Sequence, residues 1–210
     1  MTAVLFSVLV VAQALEVDLF ARMRARQQEV ARLSAAVEQV KSYPQLGIDD
    51  PAERGRLYLE RSRRGETKVR LEIIIPETRI LIASNGGYLL YQPRIKQAVE
   101  GALSGGGKKA LFSGLLTGSS DAARQLERDY TVEQLGGTHL RFEAKAGAEV
   151  HCQQIDLWLD VRSGLPARQS CREANESVIT ITLTEIEVDG ELPEGVFEID
   201  LPPDVERVKG

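Results

Sequence analysis

Val178-Ile-Thr-Ile-Thr-Leu-Thr-Glu-Ile-Glu-Val188 decides the fold class. Ile, Leu and Val take one side of an extended chain and Thr and Glu the other, as in a sheet with one wet and one buried face. The same alternation recurs upstream. Leu57-Tyr-Leu59, Val69-Arg-Leu-Glu-Ile73, Ile80-Leu-Ile82 and Tyr88-Leu-Leu-Tyr91 read as four successive strands, separated by turn signals at Arg64-Gly65-Glu66, Pro76-Glu77 and Asn85-Gly86-Gly87. Nearer the opening stretch, Tyr130–Val132, His139–Phe142, Glu149–Val161, Ala167–Arg172 and Phe197–Ile199 extend the series.

The helical signals are fewer. From Leu15 to Lys41 apolar residues recur at Leu15, Leu19, Met23, Val30, Leu33, Val37 and Val40, with charge between them and neither Gly nor Pro, which predicts one amphipathic helix laid on a sheet. Between the two groups of strands, a Ser104-Gly-Gly-Gly-Lys-Lys109 loop, an apolar run Ala110–Leu116 and a polar segment from Ser119 or Ser120 predict two short inserted helices. The loop is not a phosphate cradle: Ala102 stands where the first Gly of G-x-x-x-x-G-K-[ST] belongs, and Lys109 replaces the hydroxyl residue. The fold expected is mainly β (α+β). It is a large curved antiparallel sheet, an unclosed half-barrel of about ten strands, capped by the N-terminal helix and the short inserted helices.

At 210 residues a chain of this class forms a single domain. A formal charge of -5 with scattered basic residues argues against nucleic acid, whose phosphates need clustered Lys and Arg. Residues 1–14 carry no charged side chain and end in Ala12-Gln13-Ala14, which reads as a signal peptide with an A-x-A cleavage site. The stretch is too short to span a bilayer; a buried N-terminal helix or an uncleaved anchor is the other reading. No Cys follows Ala14, so the chain is not expected to be lipidated there. The mature domain is then residues 15–210, outside the cytoplasm.

Cys152 and Cys171 flank the turn signal Arg162-Ser163-Gly164-Leu165-Pro166. Folding a hairpin about Ser163 and Gly164 brings them nearly opposite, within about the 5.5 Å Cα separation a disulfide tolerates. They are either a disulfide or two buried thiols, since a register slip of one residue would place them on opposite faces. Their spacing fits no metal motif, and His139 and His151 lie on separate strands with no Glu-x-x-His or Cys-rich partner, so both read as surface or rim residues. There is no G-x-S-x-G elbow. No catalytic set, metal or cofactor is expected, and the chain does not read as an enzyme.

Three segments, in this order along the chain, resemble the LolA family of lipoprotein carriers. They are Gly55-Arg-Leu-Tyr-Leu-Glu-Arg61, then Ile82-Ala-Ser-Asn-Gly-Gly-Tyr-Leu-Leu-Tyr91-Gln-Pro93-Arg-Ile-Lys-Gln97, and the closing Leu192-Pro-Glu-Gly-Val-Phe197-Glu-Ile-Asp-Leu-Pro202-Pro203-Asp-Val205. Arg61 sits where the family has its functional arginine, with Ser62 in place of the proline that follows it; the Phe-Thr-Gln after the first helix is missing.

The resemblance implies a periplasmic, monomeric carrier of lipoprotein acyl chains. Its partners would be an inner-membrane ABC release complex and an outer-membrane acceptor. It makes Arg61 a latch that closes a helical lid by hydrogen bonds to backbone, and Leu57, Leu59, Val69, Leu71, Ile73, Ile80 and Ile82 the cavity lining. A guanidinium suits a latch because its five donors satisfy several carbonyls at once. Arg61 as a strand-end residue in a solvated turn with Arg63 and Arg64 is the competing reading. A carrier or sensor of another amphiphile, such as a glycolipid, is the competing function.

Overall fold

The structure is a computed structural model that describes residues 19–62, 65–84, 86–102, 118 and 120–210. The signal peptide read at 1–14 and the helix read at Ala110–Leu116 lie outside these residues. The architecture is a 13-stranded open sheet carrying two described helices, α1 (19–29) and α2 (Ser120–Asp129). No helix among the described residues is long and apolar enough to cross a membrane.

In chain order the strands are β1 (Arg32–Tyr43), β2 (Ile48–Asp49), β3 (Glu53–Arg61), β4 (Thr67–Ile75), β5 (Arg79–Ser84), β6 (Gly87–Gln92), β7 (Gln97–Ala102), β8 (Tyr130–Gly136), β9 (His139–Ala144), β10 (Cys152–Leu159), β11 (Pro166–Glu173), β12 (Val178–Val188) and β13 (Glu206–Lys209). Across the sheet they run β13-β7-β6-β5-β4-β3-β1-β12-β11-β10-β9-β8, with β2 paired to β1. All pairings are antiparallel except β13 with β7. The two meanders anticipated from the alternating runs are therefore joined through β1, which sits between β3 and β12.

That central position corrects the long helix read over Leu15–Lys41. The helix described ends at 29, and Leu33, Ala35 and Val37 face the core as alternate residues of β1. Leu33, Val37 and Val40 satisfy a helical spacing as well as the strand pattern satisfies Leu33 and Val37, and local sequence does not separate them. Two flanking strands do, β3 pairing with Arg32–Gln39 and β12 with Leu33–Ser42. Asp189 fixes the break: its Oδ1 accepts from the backbone N–H of Ala31 at 2.9 Å and of Arg32 at 3.0 Å. A second correction falls at Phe197–Ile199, read as a strand. Phe197 closes a turn there and the rest is irregular, while the final strand is β13, several residues later.

The decisive stretch contains a phase change. Its apolar residues step by two from Ile179 to Leu183 and then by three to Ile186. A β-bulge absorbs the extra residue: the register with β1 shifts between Thr184 and Glu187, and Glu185 adopts φ +50°. Ile186 and Val188 thereby stay on the core side.

The core lies between the helices and the half of the sheet formed by β1, β3 and β8–β12. Leu140, Phe142, Ile155 and Leu157 are almost fully buried, and Phe20 of α1 meets Phe142 edge to face at 5.3 Å. Met23 and Leu126 bring the two helices into the same cluster. Tyr130 is buried at the foot of α2, donates to the Cys152 carbonyl at 2.8 Å, and has its phenol pushed up to about 12 by burial, with the Asp129 charge adding to it. Cys152 and Cys171 form a disulfide with a Cα separation of 5.3 Å. They are not directly opposed: Cys152 pairs with Glu173 and Cys171 with Ile155, the offset being taken up by a bulge after Cys152.

Candidate functional site

Register divides the seven expected lining residues between the two faces. Leu57 pairs with Leu71, Leu59 with Val69, and Gly55 with Ile73, so Leu57, Leu59, Val69, Leu71 and Ile73 share the face on which α1 lies. Ile80 and Ile82 pair with Glu72 and Arg70 and point the other way. They are buried all the same, because the C-terminal segment crosses that far face. Arg70 donates to the Val196 carbonyl at 3.2 Å and the Glu198 carbonyl at 3.3 Å, and Lys68 lies 5.9 Å from the Phe197 ring centre. On the helix side the apolar surface continues past β4 through half-buried Leu81, Leu90 and Val99, which are successive partners in the register. Gly55 is required within this surface, since a Cβ there would lie 1.7 Å from the Glu72 carbonyl oxygen.

Arg61 ends β3 directly beneath the end of α1. Its Nη1 donates to the carbonyl oxygens of Gln27 and, at 3.4 Å, Val30, and its Nε reaches Thr67 Oγ1 at 3.4 Å. The last carbonyls of a helix have no partner within it, and a cation there also meets the negative end of the helix dipole. Burial pushes the Arg61 guanidinium below its ordinary value; an arginine nonetheless stays charged. Gly118 closes the site from a third direction. It has φ +71°, accepts a hydrogen bond from Gln28 Nε2 at 3.0 Å, and approaches so closely that a Cβ would sit 3.0 Å from Gln27 Cβ and 3.4 Å from Arg61 Nη2. One side chain of the sheet thus bridges to α1, at a point where the chain leading into α2 returns. A pocket of about 360 Å³ opens beside it, lined by Arg24, Gln27, Gln28, Gly118 and Ala123 among others.

The family model for "Outer membrane lipoprotein carrier protein LolA" matches residues 28–200. The chain belongs to the LolA family. No functionally curated protein matches it in sequence. Among solved structures it is similar to MucB, at 12% identity and a TM-score of 0.59, covering 89% of this chain and 63% of that one. The MucA/MucB complex of Pseudomonas aeruginosa overlays with a TM-score of 0.54 at 13% identity over 87% of this chain and 60% of that one. An uncharacterized conserved protein from Thermus thermophilus overlays with a TM-score of 0.57 at 13% identity over 92% of this chain and 98% of that one. The chain therefore spans less than two thirds of the MucB chains it resembles. At these identities the likeness is one of fold alone; membership of the family rests on the family model, and that fold is consistent with a lipid- or lipoprotein-binding carrier.

Gln27 and Gly118, which complete the Arg61 site in this LolA-family chain, carry no sequence signal of their own. The two histidines read as rim residues are each half-buried against a carboxylate. His139 Nε2 lies 2.7 Å from Asp156 Oδ1 and stacks on Trp158 at 4.4 Å, with the Arg168 guanidinium 4.8 Å from the same indole. His151 Nε2 lies 2.8 Å from Glu173 Oε1. Among the described residues no group of three His, Cys, Asp or Glu is placed to hold a metal.

Burial pushes the Asp156 carboxyl up, but hydrogen bonds from Arg141, Gln154 and His139 outweigh it and hold the group below its ordinary value. Glu173 is held low against its own burial by Lys41 and Ser177. A carboxyl depressed by folding stabilises the fold above its unfolded pKa of about 4, and that contribution is lost as pH falls through the folded value. The urea midpoint is accordingly expected to drop between about pH 5 and about pH 3, and to drop less steeply in Asp156→Asn. Equal slopes for the two proteins would count against this assignment.

Proposed function

We propose that this chain is an exported, periplasmic carrier that shelters the acyl chains of a lipoprotein on the helix-side face of β3–β7 and releases them to an acceptor in the outer membrane. The observation that carries the reading is the Arg61 bridge to the carbonyls of Gln27 and Val30, which ties α1 to the sheet at the edge of that apolar face. Each exposed methylene of an acyl chain costs about 0.8 kcal/mol in water, so a soluble carrier needs an apolar surface that is covered when empty and uncovered when loaded. A helix packed on that face and pinned at its end by the hydrogen bonds of one side chain meets both needs. Leu57, Leu59, Val69, Leu71 and Ile73 form the near part of the surface, and partners on this reading are an inner-membrane ABC release complex and the outer-membrane acceptor.

The test is mass spectrometry of lipid extracted from the protein purified out of its own cell envelope. The expected species is an acylated lipoprotein or its lipidated N-terminal peptide. A glycolipid in its place would assign the surface to another amphiphile, and the absence of any bound lipid would overturn the carrier reading.

A further inference from the structure

Seven large hydrophobic residues are strongly exposed among the described residues, and five of them gather at the end of the sheet remote from Arg61. Leu46 and Ile48 lie at the β1–β2 turn, Ile74 and Ile75 where β4 ends, and Ile95 on the turn between β6 and β7; each is between 51% and 69% exposed. Glu53 begins β3 at this end and Arg61 ends it at the other, so the rim and the latch are separated by the length of the strand. Scattered apolar residues on a surface are ordinary, whereas a gathering on successive turns points to an interaction.

The charges beside these turns indicate what it meets. Lys41 pairs with Glu173 at 2.8 Å, Arg54 with Glu38 at 2.7 Å, Arg94 with Glu77 at 2.6 Å, Lys96 with Asp204 at 2.6 Å, and Arg79 with Glu53. These cations, on the turns and on the strand ends entering them, are thereby neutralised within this end, and Asp49 and Asp50 add negative charge beside them. Such a rim offers little to an anionic surface and adheres through apolar contact.

The five residues are also all aliphatic and stand on three separate turns. With strands about 4.8 Å apart, the turns are distributed over roughly 20 Å. Protein hot spots instead cluster aromatic and arginine side chains within one desolvated pocket. Separate aliphatic tips suit a fluid interface, which accommodates each where it stands.

We propose that the turns at Leu46–Ile48, Ile74–Ile75 and Ile95 form a rim that inserts reversibly into an electrically neutral lipid interface. The test uses the cargo-free mature chain, residues 15–210, and sedimentation with phosphatidylcholine vesicles, and compares it with Leu46→Gln/Ile48→Gln/Ile75→Gln, whose fold is checked by circular dichroism. The native chain is expected to co-sediment, the variant to partition about ten-fold less, and enrichment in phosphatidylglycerol to add nothing. A native chain left in the supernatant, or a folded variant that binds equally, would overturn the proposal. So would binding that rises with anionic lipid and disappears in salt, or a dimer dispersed by the same substitutions without vesicle binding, which would assign the rim to a second copy. None of these substitutions touches Arg61, so failure here leaves the carrier reading standing.

Discussion

If the chain carries acyl chains as proposed, replacing Arg61 by Leu is expected to slow delivery of an acylated cargo to its acceptor by about ten- to a hundred-fold, with cargo uptake preserved. The size follows from what the guanidinium holds. Its Nη1 serves the carbonyls of Gln27 and Val30, and a hydrogen bond to a charged donor contributes about 1.5–3 kcal/mol. Removing that stabilisation shifts the balance between closed and open α1 towards the open form by roughly one to two orders of magnitude. An acyl chain then leaves more slowly, because closure no longer competes for the same surface. Global stability changes less, since Phe20 and Met23 still hold α1 in the core. Arg61→Lys separates charge from geometry: a lysine keeps the attraction to the helix end but lacks the planar fork, so its transfer rate should fall between the two. Unchanged transfer by the Leu variant, measured between purified carrier and acceptor, would remove the latch.

Loss of the Cys152–Cys171 disulfide is expected to lower stability by about 3 kcal/mol, the chain-entropy figure for a loop of this length. The bridged positions are 19 residues apart and both side chains are essentially buried. For a domain of this size that corresponds to a fall in Tm of roughly 6–12 °C. The bond ties β10 to β11 on the side of the sheet that packs against α1 and α2, so the double Cys→Ala variant should unfold earlier as a whole rather than shed one edge. Calorimetry of the variant beside the oxidised protein measures this. A Tm within a degree or two of the native value would mean that the cross-link adds little to what residual structure already imposes on the unfolded chain, and would overturn this prediction.

The degree to which the sequence anticipates the structure differs from element to element. β3, β4, β5 and β6 stand where alternation and turn residues place them, as do β8–β12 within a few residues. β7 has no such signal: Gln97-Ala-Val-Glu-Gly-Ala102 has few side chains to alternate, and it becomes a strand because Leu90 and Tyr91 of β6 pair with Val99 and Ala98. β13 is shorter still and is held by parallel pairing with β7, a partner more than a hundred residues earlier. At the site, the sequence points to Arg61 only through family likeness. Asp156 has a local signal that belongs to no motif, a lone carboxylate between Ile155 and Leu157 on a strand whose other face is core.

By itself, the sequence determined that the chain is mainly sheet, the alternation along most of its strands, and the order of the motifs that mark the LolA family. All of these follow from the period-two geometry of an extended chain, which a residue carries whatever its neighbours in space. Tertiary structure alone decided where α1 stops and β1 begins, that Ile80 and Ile82 face away from Leu57 and Leu71, and that Arg61 reaches the carbonyls of Gln27 and Val30. Each of these depends on which strand lies alongside and in what register. A pairing with a residue tens of positions away leaves no mark in the local pattern, yet it settles every hydrogen bond and every direction a side chain takes.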